Sequence, residues 1–121
     1  MEPKEPMQNT AQINLIDSFS KEKKTSQLYV KESNVFCIAN HLMEPGIIEH
    51  FIQSVNNIVE ADFSIQEIKD FNICFLPKVG ETLITKVETR RAQNNSANIT
   101  VTTTIDDVVA AKCKLKINFS N

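Results

Sequence analysis

The chain has 121 residues, with 13 basic and 15 acidic side chains, two histidines and 41% hydrophobic residues. That balance suits a single soluble domain with its own core and gives no support for nucleic-acid or membrane-surface binding. With two glycines in all, Gly46 and Gly80, the glycine-rich phosphate-cradling loops are excluded.

Residues 1–10 are polar with two prolines and read as a loose arm; residues 11–121 read as the domain. No apolar run has the length of a signal peptide core or a membrane span, so a cytoplasmic location is expected. Ala11–Ser20 spaces Ile13, Leu15, Ile16 and Phe19 as one or two helical turns would. Lys21–Ser26 is a solvated charge run, Gln27–Lys31 has strand character, and Val35–Ala39 reads as a second short strand. Cys37, Cys74 and Cys113 each sit among apolar neighbours and read as buried strand residues in a reducing compartment. Metal-ligand spacing is absent, and no metal or other cofactor is expected.

Asn34–Glu60 holds both histidines and the Pro45-Gly46 pair. From Pro45 the apolar residues Ile47, Ile48, Phe51, Ile52, Val55, Ile58 and Val59 recur at helical spacing. Glu49, Gln53, Asn56 and Glu60 form a polar stripe beside them, and Pro45 suits a first helical turn. A loop carrying His41 followed by a helix over about residues 45–60 is the result. His50 points about 100° from Glu49 on such a helix. It is expected at the surface or in a dimer interface, with a base role in place of His41 as the alternative.

Beyond the helix, Phe71, Ile73 and Phe75 alternate with polar or small residues, and Pro77–Glu81 makes a turn with Gly80 at positive φ. Thr82–Ala92 and Ile99–Ile105 alternate again around the hairpin signal Gln93–Ser96. After Asp106-Asp107, Val109, Ala111, Cys113, Leu115, Ile117 and Phe119 give the clearest period-two run. Two short strands, one helix and a meander of four long strands require an α+β fold in which a curved antiparallel sheet wraps around one central helix. This is the hotdog architecture. Its open sheet edge and partly uncovered helix make a dimer the expected state.

The segment NVFCIANHL resembles the N-x-x-F-F-x-G-H-F active-site motif of hotdog 3-hydroxyacyl-acyl-carrier-protein dehydratases, with His41 at the offset of that family's catalytic histidine. EPGIIEHFIQS is similar to its P-G-V-L-x-x-E-A-L-A-Q-T, which matches Glu49 to the catalytic acid and Gln53 to the glutamine behind it. FNICFLPKVGETLITKV resembles the family's strand-turn-strand, and the short variants of aryl-polyene and flexirubin-type pathways are nearest in pattern. The resemblance implies a 3-hydroxyacyl thioester, carried on acyl carrier protein or coenzyme A, dehydrated to its 2-enoyl form in fatty-acid or polyene-type biosynthesis.

In that chemistry His41 is the base that removes the C2 proton, Glu49 the acid that helps hydroxide leave C3, and Gln53 orients Glu49. Free N–H groups near Gly46 and Ile47 at the helix start would polarise the thioester carbonyl. Phe36, Ile38, Leu42, Ile52, Phe71 and Ile73 are candidates to line an acyl tunnel, and Arg90, Arg91, Lys78 and Lys86 to attract an acidic carrier. Two alternatives stand beside this reading. One is a weak or inactive partner that forms a heterodimer with an active homologue. The other is an acyl thioesterase in which Glu49 activates water.

Overall fold

A computed structural model of the chain describes residues 13–120. The loose arm expected over residues 1–10 lies outside the described residues. Four short strands precede the single helix seen among those residues: β1 (Ser18–Ser20), β2 (Thr25–Tyr29), β3 (Cys37–Ile38) and β4 (His41–Leu42). Helix α1 (Glu44–Ile58) is followed by four long strands: β5 (Phe63–Ile73), β6 (Thr82–Arg91), β7 (Ser96–Ile105) and β8 (Val108–Phe119). The large sheet runs β1-β2-β6-β7-β8-β5, antiparallel at every pairing, and β3-β4 forms a separate small ribbon.

The expected curved antiparallel sheet around one helix is what forms, and the reason lies in the alternation along the long strands. Val101, Thr103 and Ile105 of β7, with Ala111, Cys113, Leu115 and Ile117 of β8, turn inward and are buried. Helix α1 meets them with Ile47, Phe51, Val55 and Ile58. Phe51 packs edge-to-face on Phe71 of β5, ring centroids 6.0 Å apart, a preferred aromatic geometry. Two register shifts in β5, between Ile65 and Glu67 and between Lys69 and Asn72, break its alternation and bend the strand over the helix.

Turn chemistry sets the strand order. Asp106 and Asp107 both adopt positive φ, as the tight β7–β8 hairpin requires, and Gly80 does so at φ 96° in the β5–β6 connection.

Three expectations need correction. Ala11–Ser20 gives no helical turn among its described residues. Leu15 and Ile16 are buried in extended chain, and β1 follows, because the sheet edge offers that backbone hydrogen-bond partners that a short isolated helix lacks. The strand expected over Val35–Ala39 shortens to Cys37–Ile38, because Ala39 and Asn40, both at positive φ, form the tip of a tight hairpin. Cys74 is exposed and Cys37 half-buried, so of the three cysteines only Cys113 is a buried strand residue, and burial pushes its thiol up to about 11. No helix among the described residues is long and apolar enough to cross a membrane.

Candidate functional site

The start of α1 is crowded. A β-carbon added at Gly46 would meet the Leu42 Cδ1 and Phe36 Cβ atoms at 2.7 Å each. Glycine therefore lets the helix start sit directly on the β3–β4 ribbon. Gly46→Ala is expected to cost about 1–3 kcal/mol through overpacking, read as a lowered midpoint in urea unfolding. The helix has no side-chain cap; Met43 precedes it in extended conformation. The N–H groups of Gly46 and Ile47, expected to be free for a thioester oxygen, both turn to the Met43 carbonyl at 3.0 and 3.2 Å. Because Pro45 has no N–H, Glu44 supplies the remaining first-turn donor.

His41 opens β4, paired with Ile38 across the ribbon and bridged to the backbone of Lys78. Its Nδ1 lies 2.8 Å from the Ala39 carbonyl, which can only accept, so Nδ1 carries the proton and Nε2 is left as an acceptor. The ring lines a shallow pocket with Phe75, Leu76, Lys78 and Glu81, and the Glu81 carboxylate accepts the Lys78 backbone N–H at 2.7 Å. The Ala39 contact thus fixes the tautomer of a ring that borders this pocket.

Glu49 is half-buried in the second turn of α1, with the Gln53 amide nitrogen at 3.5 Å. Gln53 is held more closely by the N-terminal segment than by Glu49. Its oxygen accepts the Leu15 N–H at 2.8 Å and its nitrogen donates to the Ile13 carbonyl at 2.6 Å, so it pairs with the N-terminal segment as a strand would. His41 and Glu49 face different neighbours within one chain.

The expected tunnel residues separate likewise. Leu42 is fully buried, Phe36 covers Gly46, Ile38 is 64% exposed, and Ile73 packs on the core. Ile52 and Phe71 line an apolar crevice of about 10 Å³ between helix and sheet, room for about one water and far too small for an acyl chain.

His50 overturns its expected surface position. It is completely buried, with Nδ1 donating to the Leu15 carbonyl and Nε2 accepting from the Thr85 hydroxyl, each at 2.7 Å. Thr85 in turn meets Thr103, so a buried polar chain links the N-terminal segment, α1, β6 and β7. Burial lowers the His50 pKa to about 4, against smaller upward pulls from the Leu15 carbonyl and Asp17. Beside it Ser54 bonds Ser26 of β2 at 2.6 Å. The signal was in the sequence: 47, 50, 51, 54, 55 and 58 follow the helical i, i+3, i+4 rule, and His50 and Ser54 belong to that face. Among the described residues no group of three or more His, Cys, Asp or Glu is placed to hold a metal ion.

No family model matches the sequence, and no curated protein matches it. Solved structures do resemble it. A probable thioesterase from Bartonella henselae aligns with TM-score 0.68 at 13% identity over 80% of this chain and 89% of that one. A hexameric broad-specificity acyl-coenzyme A thioesterase gives 0.66 at 8% identity over 78% and 77%. A dehydratase heterocomplex from Xenorhabdus doucetiae gives 0.64 at 17% identity over 78% and 85%. Sheet order, central helix and these superpositions agree: the chain has the hotdog fold.

Proposed function

We propose that this protein processes acyl thioesters, and that its reaction is dehydration of a 3-hydroxyacyl group to the 2-enoyl form. The observation that carries the reading is the His41 ring, whose Nδ1–H is held by the Ala39 carbonyl while Nε2 stays available to take a proton. Glu49, on the second turn of α1, is the acid in this reading. Since the two side chains have different neighbours in one chain, the reading requires two copies, His41 of one opposite Glu49 of the other. The open edge of β5 gives such a dimer a place to form.

The base takes the C2 proton, the C3–O bond breaks as Glu49 delivers its proton to the departing oxygen, and water leaves. Gln53 keeps the carboxyl in place from one helical turn away. The thioester carbonyl is not assigned to the Gly46 and Ile47 N–H groups, which the Met43 carbonyl occupies. The acyl group is carried on acyl carrier protein or coenzyme A.

A second reading is thioester hydrolysis, in which the half-buried Glu49 activates water and His41 takes no part. Two of the three structural relatives described above are named thioesterases, which favours keeping it. The experiment offers a 3-hydroxyacyl thioester to the purified protein and follows enoyl absorbance and free thiol together. Enoyl formation without thiol supports dehydration; thiol release that persists in His41→Ala identifies the hydrolase instead.

A further inference from the structure

The Pro77–Glu81 turn, between β5 and β6, is closed by two hydrogen bonds between the same pair of residues. The Glu81 N–H donates to the Lys78 carbonyl at 3.0 Å, and the Glu81 carboxylate accepts the Lys78 N–H at 2.7 Å. Gly80, third of the four turn residues, takes φ 96°, a conformation that favours glycine. The closed turn is tied to the rest of the chain through its remaining backbone groups. The Gly80 N–H donates to the Val30 carbonyl at 2.8 Å, and the Glu81 carbonyl accepts the Val30 N–H at 2.9 Å.

Two further bonds bracket His41. The Val79 N–H donates to the Asn40 carbonyl at 2.9 Å, and the Pro77 carbonyl accepts the Leu42 N–H at 2.8 Å. The backbone on either side of the candidate base is thus held by one turn. That hold matters because the hairpin tip before His41 is strained. Ala39 and Asn40 stand at φ 52° and 67°, where a two-residue hairpin loop prefers Asn-Gly. The β-carbon of Ala39 makes this conformation costly, and it persists only where the surroundings enforce it. The same tip presents the Ala39 carbonyl that accepts the His41 Nδ1–H.

We infer that Glu81 is a positioning residue for His41, acting through this turn and the strained tip to fix the imidazole tautomer. The carboxylate keeps Lys78 in the turn, and the turn holds Asn40 and Leu42. The tip held in this way aims the Ala39 carbonyl at the ring. The link requires an oxygen acceptor of the right length at residue 81 and makes no use of its charge. Glutamine supplies that acceptor and alanine does not. The inference rests on His41 as the base of the proposed dehydration. Its test contains no substrate, so either can fail without the other.

Long-range proton–nitrogen correlation spectra of the full chain, at a mildly alkaline pH where imidazole is neutral, read the tautomer of each ring. The chain has two histidines, and buried His50, whose Nδ1 donates to the Leu15 carbonyl, is the internal reference. Wild type and Glu81→Gln are expected to show His41 in the Nδ1–H form. In Glu81→Ala the Nδ1–H population of His41 should fall at least about twofold in favour of Nε2–H, with His50 unchanged. A wild-type His41 signature in Glu81→Ala, its loss in Glu81→Gln, or a His50 signature altered along with it would each overturn the inference.

Discussion

His50→Ala is expected to destabilise the fold by about 3–5 kcal/mol, since it opens a cavity and strips partners from two buried groups. The Leu15 carbonyl would lose its donor and the Thr85 hydroxyl its acceptor, and neither has water in reach at full burial. The same residue makes stability depend on pH. Unfolded, His50 takes a proton near 6.5; folded, burial delays this to about 4. Above pH 6.5 both states are neutral and the group contributes no pH dependence. Between 6.5 and 4 the unfolded state alone binds the proton, so stability falls with falling pH at up to about 1.4 kcal/mol per unit. Below 4 both states are protonated and the loss levels off, at roughly 3 kcal/mol in total. Urea unfolding at pH 7 and pH 4.5 checks this: His50→Gln should flatten the difference between the two pH values, and an unchanged difference would mean the buried imidazole is not its source.

Glu49→Ala is expected to lower the rate of acyl-thioester turnover by about 10²–10⁴-fold, the range for removing a positioned acid or base. The fold should survive, because Glu49 is half-buried and its hydrogen bond from Gln53 is long at 3.5 Å. Gln53 behaves differently. Gln53→Ala releases the backbone of Ile13 and Leu15, so its loss should appear in unfolding experiments as well as in turnover. That split separates a residue of the reaction from one that also holds the chain.

The sheet was legible because period-two alternation over strands as long as Val108–Phe119 has no competing interpretation. Asp106-Asp107 and Pro77–Glu81 marked turns because only certain residues tolerate those backbone angles. What escaped were short segments and polar core. Ile13, Leu15, Ile16 and Phe19 fit a helical turn as well as an edge strand over so few residues, and tertiary partners decided between them. Helical phase puts His50 and Ser54 on the buried face, but the partners that satisfy them there come from residues 35 and 28 positions away, which no local pattern encodes. At the candidate site, the phase of the helix placed Glu49 near Gln53 correctly. The use of the helix-start N–H groups depended on how Met43 enters the helix, which no sequence pattern encodes.

We propose that His41 and Glu49 of two different copies form one acid/base pair. Mixing inactive His41→Ala and Glu49→Ala chains under conditions that exchange subunits tests it directly. In a mixed dimer one site keeps both residues and the other loses both, so random exchange should restore roughly a quarter of wild-type dehydration. Mixtures that stay as inactive as either variant alone would contradict the shared site.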